Sequence, residues 1–245
     1  MKIHEISRTK STGTNDDIEF DERDKKLKGA KPVPGDNRFV YIIEKLSGLD
    51  RAGWGGGTDF RVYFYDKSTA NKDGSSLIAW MGFRYIEISG INNTIQVSNV
   101  VLDTRYRGQG VGILMYTTLL QKGYVIVADE SQTPQARKLW VKLNQTPGVQ
   151  VNGVIELMRV DFDLEVANQY TYVEQVKANQ KKLRSLKAQP LVDYSEWDRG
   201  DYVPFTFPVK SMAGGKELGA TGVKLYHSED NEPDDFLYLY AQWVG

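Results

Sequence analysis

A chain of 245 residues that is 40% apolar and 11% aromatic can build one large domain, or a medium domain with an appendage, and is not globally disordered. Its formal net charge of -1 supplies no whole-protein attraction to nucleic acid or to an anionic membrane. Cysteine is absent, which excludes disulfides, thiolate nucleophiles, zinc–thiolate sites and iron–sulfur clusters; His4 and His227 are too few for a multi-histidine metal site.

Residues 1–37 are polar, mix charges of both signs and end in a Pro/Gly punctuation, the composition of an N-terminal arm. Ile18 and Phe20 are its candidates for contact with a groove. From Arg38 the pattern changes. RFVYIIEKL reads as a strand, GLDRAGWGGGTD as a glycine-rich connection, and FRVYFYDK alternates with period two. LIAWMGFRYIEI and TIQVSNVVL follow as β-branched and aromatic strands, completing an antiparallel meander. The period then becomes helical: Val111, Leu114, Met115, Leu119 and Leu120 share one face from about Gly110 to Lys122, and Gly123 ends the run. YVIVAD is a short buried strand, placed parallel to TIQVSNVVL by the intervening crossover. In ESQTPQARKLWVKLN, Ser131 or Thr133 can cap a helix, Pro134 suits its first turn, and Ala136, Leu139, Trp140 and Leu143 form its apolar stripe. VIELMRVDFDL closes this region as a strand.

The rest differs in character. YTYVEQVKANQKKLRSLKAQ has helical spacing through Val173, Val176 and Leu183, with Lys177, Lys181, Lys182, Arg184 and Lys187 as a solvated basic face. DYVPFTFPVK, GVKLYHS and DFLYLYAQW read as strands of a β-rich extension, either packed on the main domain or forming its own module. The expected division is therefore an arm over 1–37, a main domain over 38–165 and an extension over 166–245. The aromatic run Tyr63, Phe64, Tyr65, Trp80, Phe83 and Tyr85 is read as core and sheet face. No stretch approaches the ~18 apolar residues of a membrane span, and the polar N-terminus lacks a secretory apolar segment; a cytoplasmic protein is expected.

The chemistry concentrates in TRYRGQGVG, residues 104–112, where a strand becomes a helix. The first amides of a helix have no intrahelical acceptor, and the helix dipole is positive there. Glycines just ahead of the helix let the chain curl so that these amides converge on an anion. Gly108, Gly110 and Gly112 stand at that point, and Arg107 can add a charge-assisted hydrogen bond. A phosphate-binding Gly-Lys-Ser/Thr loop is excluded by sequence, and the spacing does not match the dinucleotide fingerprint.

The motif Arg-x-x-Gly-x-Gly at Arg107, Gly110 and Gly112, preceded by VVLDTRY, resembles the acyl-CoA-binding motif of the GNAT superfamily of N-acyltransferases. The resemblance covers roughly residues 38–160. It implies an α+β fold: a mixed, mostly antiparallel sheet with a splayed central parallel strand pair and flanking helices, here followed by the C-terminal β-rich extension. It implies acetyl-CoA as co-substrate, with the main chain of Val100 and Leu102 beside the pantetheine and that of Gln109, Gly110, Val111 and Gly112 around the pyrophosphate, next to Arg107 and Gly108. It implies transfer of an acyl group to an amine by direct attack in a ternary complex, with a main-chain amide near Val100 to Leu102 stabilising the oxyanion.

The likeness stops at the acid. Where family members commonly carry a tyrosine, TPQARKLW places Trp140, whose indole donates a hydrogen bond but no proton at neutral pH. The nearest titratable groups are Asp129 and Glu130, with Ser131 as a substitute hydroxyl, which makes Asp129 and Ser131 the catalytic candidates; the alternative is a strand end and a helix cap. GWGGGTD takes the place of helices that shape the acceptor pocket in relatives, which suggests an open site with Trp54 as a lid. The Trp-for-Tyr pattern is also similar to divergent GNAT-like proteins of bacteriophages. Two other readings stand beside the enzyme: a GNAT-like binding protein that meets a protein partner through its extension, and acyl-CoA-dependent modification of a nucleic-acid base, for which the net charge offers no support. The amine acceptor is not specified by sequence.

Overall fold

Strands that are apolar on both faces need cover on both, and the stretch from residue 36 to 102 has that composition. In the computed structural model, which describes residues 4–5, 29–46, 58–68, 77–128, 134–167, 173–209, 225–227, 230–234 and 237–245, it forms the expected meander. After β1 (His4–Glu5) and β2 (Lys31–Val33) come β3 (Asp36–Lys45), β4 (Phe60–Asp66), β5 (Leu77–Tyr85) and β6 (Thr94–Leu102). Neighbours pair antiparallel, with Tyr41 opposite Phe64, Val62 opposite Met81, and Met81 opposite Val100. One face carries Tyr41, Val62, Phe64, Met81, Phe83, Ile95 and Val97 into the main core; Val40, Tyr63, Tyr65, Leu77 and Trp80 form a second cluster. The aromatic run is thus core and sheet face as expected, with Tyr85, 48% exposed, edge-on to Phe60 and Phe83.

The crossover follows. Helix α1 (Val111–Leu120) lies within the expected span, and Gly123 just beyond it has φ 85°. It leads to β7 (Val125–Val127), parallel to β6. Helix α2 (Pro134–Asn144) then precedes β8 (Val149–Met158). Met115, Leu119 and Leu120 of α1 join Trp140, Val141 and Leu143 of α2 over Ile126, Val151, Ile155 and Leu157 of the sheet. Burial of each such side chain contributes about 1.5–3 kcal/mol. Strand β8 ends earlier than VIELMRVDFDL suggests. Arg159–Asp161 is a 3-10 turn, held where Arg159 donates to the Asp163 carboxylate (3.0 Å) and to the Trp197 carbonyl (2.6 Å).

After α3 (Leu164–Ala167), α4 (Val173–Leu186) buries Val176, Asn179 and Leu183; of the expected basic face Lys177, Lys181 and Arg184 are exposed, Lys182 is half-buried, and Lys187 is exposed just past the helix end. The remaining strands are β9 (Gln189–Pro190), β10 (Tyr202–Pro208), β11 (Leu225–His227), β12 (Asp230–Asp234) and β13 (Leu237–Trp243). Among the described residues β11 and β12 pair with each other, and the other strands join an 11-stranded sheet in the order β2-β3-β4-β5-β6-β7-β13-β8-β10-β9, with β1 against β6. The division expected at 165/166 is not a break in this sheet. The last strand of the chain lies between β7 and β8, with Tyr240 opposite both Val127 and Asn152. Likewise the span expected as an arm supplies β1, β2 and the first residues of β3. Ile18, Phe20 and Trp54 lie outside the described residues.

A chain ending at residue 236 leaves one edge each of β7 and β8 unpaired and loses the buried Leu239, Tyr240 and Ala241. Urea unfolding followed by circular dichroism is expected to show no cooperative transition for it. A sharp transition like the parent's would mean that the sheet closes without β13.

Candidate functional site

Strand β6 is held unequally by its two neighbours. It pairs with β5 from Ile95 to Leu102 but, among the described residues, with β7 only through Thr94, Ile95 and Gln96. The cause is local. Gly82 faces Asn99 and Phe83 faces Val97, so Ser98 is an extra residue in β6. Such a bulge bends its strand and sharpens the twist. The Ser98 hydroxyl meets that of Thr58 at 2.8 Å, and a Cβ on Gly82 would lie 3.0 Å from both the Ser98 Oγ and the Thr58 Cγ2, so a glycine admits the bulge there. At the point of divergence, buried Gln96 donates to the Ala128 carbonyl (3.4 Å) and accepts from Arg84 Nη2 (2.6 Å) and Nε (3.1 Å). Beyond it, Val100 and Leu102 are half-buried on a strand released from β7. Main-chain pairing on this stretch comes from β1 instead, in parallel, with His4 opposite Asn99 and Glu5 opposite Val100.

The released strand runs directly into the glycine turn. Thr104–Tyr106 forms a 3-10 turn capped by Asp103, whose carboxylate accepts from Arg105 N at 2.8 Å. Gly108 (φ 75°) and Gly110 (φ 84°) then take the left-handed conformation. Gly110 is the N-cap of α1 and offers no side-chain acceptor to the helix amides, and the first turn of α1 holds no acidic residue. The amides of Val111, Gly112 and Ile113 therefore depend on acceptors from outside the helix. A Cβ at Gly108 or Gly110 would meet nothing within 4 Å among the described residues, so both positions face away from the described core. Gly112 has a different use: a Cβ there would lie 4.0 Å from Leu139 of α2, at the contact of the two helices.

The two arginines of the turn have separate roles. Arg105 is committed to Asp103, with Nη2 2.6 Å and Nε 3.0 Å from Oδ2. Burial pushes the Asp103 carboxyl up, but the bonds from Arg105 outweigh it and hold the group below the usual carboxylate range. Arg107 is exposed and makes no salt bridge among the described residues. Its charge is available to an anion over the turn.

A buried carboxylate that sequence reasoning did not single out anchors the turn from below. Asp66, at the end of β4, is fully buried and accepts from Arg38 Nε (2.7 Å), Tyr106 Oη (3.0 Å), the Ser68 amide (2.8 Å) and the Ser68 hydroxyl (2.6 Å). The Arg38 guanidinium also lies 5.6 Å from the centre of the Tyr106 ring. Burial alone would raise the Asp66 pKa, but its four donors bring it down to about 2. Its partners Arg38 and Tyr106 stand 28 and 40 residues away, so no local pattern reveals the cluster.

The catalytic candidates Asp129 and Ser131, together with Glu130 and Thr133, lie outside the described residues. Trp140, at the position matching the usual tyrosine, is 2% exposed and belongs to the main core. Among the described residues no cluster of His, Cys, Asp or Glu could hold a metal ion, and no helix is long and apolar enough to cross a membrane.

No family model matches the chain, and no curated protein matches it. Solved structures do. A GNAT family N-acetyltransferase from Escherichia coli, in complex with CoA, is 16% identical with a TM-score of 0.23; the match covers 36% of this chain and 61% of that one. The chain thus spans about three fifths of that protein's length. An IAA acetyltransferase from Bacillus cereus is 14% identical with a TM-score of 0.29, over 69% of this chain and 99% of the other. The ribosomal-protein-S18-alanine N-acetyltransferase from Escherichia coli is 11% identical with a TM-score of 0.30, over 69% and 93%. The architecture itself is α+β: a mostly antiparallel mixed sheet with a parallel β6–β7 pair and flanking helices.

Because the Asp66 pKa is lower in the folded chain than in the unfolded one, its contribution to stability is complete above about pH 5 and disappears as pH falls toward 2. The expected loss is about 2 kcal/mol. Urea unfolding of the parent and of Asp66→Asn between pH 5 and pH 2 checks this: the variant should be less stable at pH 5 and have the shallower acid limb. Parallel limbs would remove Asp66 from the acid response.

Proposed function

We propose that the chain is an acyl-CoA-dependent N-acyltransferase of the GNAT type, which moves an acetyl or other acyl group from coenzyme A to an amine by direct attack in a ternary complex. One observation carries the reading. A strand released from its parallel neighbour leads, within a few residues, into a glycine-lined helix N-terminus where a Cβ at Gly108 or Gly110 would meet no described residue, beside an exposed arginine that makes no salt bridge among the described residues. A thioester joined through an extended amide-bearing arm to a diphosphate matches these features in order.

In this reading the amides of Gln109, Gly110, Val111 and Gly112 receive the diphosphate oxygens, Gly108 and Gly110 keep the approach clear of Cβ atoms, and Arg107 supplies a positive charge. The main chain of Val100 and Leu102 pairs with the arm as it would with a strand. The coenzyme supplies an acyl group activated as a thioester. An amide of β6 near Val100 to Leu102 donates to the carbonyl oxygen as negative charge develops there, a contact typically worth about 3 kcal/mol of barrier. The amine nitrogen bonds the acyl carbon, the carbon–sulfur bond breaks, and the sulfur leaves as thiolate. Asp129 is assigned the proton lost by the amine, and the Ser131 hydroxyl the hydrogen bond to the departing sulfur. A cysteinyl acyl-enzyme is excluded because the chain has no cysteine.

A second reading, a binding protein on the same scaffold, is favoured by one observation: β1 already pairs with β6 at Asn99 and Val100. Calorimetry with acetyl-CoA separates the two. Saturable binding is expected, weakened about tenfold by Arg107→Ala and more by Gly110→Val, where φ is 84° and a side chain would enter the approach to the turn. The circular dichroism spectra of both variants should match the parent's. Thiol release on adding an amine panel identifies the acceptor class. Absence of binding, or unchanged affinity in both variants, would falsify the acyl-CoA reading.

A further inference from the structure

Strand β6 has two main-chain edges. One belongs to β5 from Ile95 to Leu102. Among the described residues the other belongs to β7 only as far as Gln96. Pairing of His4–Glu5 with Asn99–Val100 must therefore use the second edge, in the stretch that β7 has left. The direction is the same as well, since β1 and β7 both run parallel to β6. An extended backbone thus occupies the line along which β7 would have continued, in the geometry of strand addition. The chemical reason is general: amide and carbonyl groups of a partly buried sheet edge need partners, and any extended chain with its own amides can supply them.

The edge from Val97 to Leu102 is five residue steps, about 17 Å long. It begins at the Gln96 clamp and ends just before the glycine turn, so a ligand anchored at that turn and reaching toward Gln96 must lie along it. Two extended occupants cannot share one edge. We propose that the released edge of β6 is a strand-accepting site, filled by the chain's own residues 4–5, and that β1 and the pantetheine arm of the coenzyme are alternative occupants of it. The exchange rests on the acyl-CoA reading above, whereas the strand-accepting site does not. Entry of the coenzyme displaces β1, and the segment carrying His4 and Glu5 acts as a competitor built into the chain.

The absence of native cysteine makes a clean test available. His4 and Asn99 are direct partners in the register. Neighbouring strands lie about 4.8 Å apart, within the range that a disulfide spans. In the full chain carrying His4→Cys and Asn99→Cys, mild oxidation, or a one-carbon bis-thiosulfonate where the thiols are misaligned, is expected to join the two residues; peptide mapping reads the link. Failure of both reagents overturns the strand-accepting site. Acetyl-CoA binding is then measured on the linked protein before and after release with a phosphine reductant. The linked form should bind about tenfold or more weakly than the released form. Equal affinity in the two forms overturns the exchange and leaves the acyl-CoA reading standing. If neither the released variant nor the parent binds acetyl-CoA, the acyl-CoA reading falls and the exchange with it, while formation of the link still decides the strand site.

Discussion

The unequal pairing of β6 is the constraint on which the candidate site depends. A strand inside a sheet normally satisfies both edges along its length, and β6 does so on the β5 side. On the other side one extra residue, Ser98, turns the strand away after three pairs with β7. Three features stabilise this departure: Gly82 leaves room for the bulge, the hydroxyls of Thr58 and Ser98 share a hydrogen bond, and Gln96 ties β6 to the Ala128 carbonyl at the last point of contact. With Ser98 removed and the register continuous, β6 and β7 could pair further, and the edge that leads to the glycine turn would be closed.

The turn is kept in place by charge. Asp66 and Asp103 each hold an arginine, Arg38 and Arg105, and Asp66 also takes the phenol of Tyr106. A buried carboxylate is costly unless its lone pairs are occupied, and Asp66 has four donors from three residues. Tyr106 is thereby fixed to the end of β4, and the 3-10 turn it closes sets the direction in which the chain reaches Gly108. Of the three arginines near the turn, Arg107 is the one without a salt bridge to either carboxylate, acting on Asp103 only through space, and its charge adds to that of the helix N-terminus.

The sheet is completed from the far end of the chain. β13 separates β7 from β8, so β7, only three residues long, is held on one edge by β6 and on the other by a strand more than a hundred residues later. Its short pairing with β6 is sustained because Ile126 and Val127 also pair with Ala241 and Tyr240, and because Ala128 donates to Leu239 at 2.7 Å. Long-range closures of this kind add loop entropy to folding and slow it. Here they place the geometry at the head of the released edge under the control of the C-terminal strand.

The sequence by itself determined the elements whose signal is periodic or stereochemical. The run FRVYFYD, the helical spacing from Val111 to Leu120 and the stripe of Ala136, Trp140 and Leu143 each report apolar surface that must be covered, although β4 is buried on both faces rather than the one its alternation suggests and Leu114 of α1 is half-buried. The glycines at 108 and 110 were legible for a related reason, since a left-handed turn ahead of a helix favours that residue. Tertiary structure alone decided what depends on partners distant in the chain. The Asp66 cluster, the bulge at Ser98, the insertion of β13 and the pairing of β1 with β6 join residues separated by 14 to more than 100 positions, and nothing in the local pattern of any one names the other. Period-two alternation says that a strand has a buried face; it does not say which strand lies beside it, because the main-chain groups that choose a neighbour are the same in every residue.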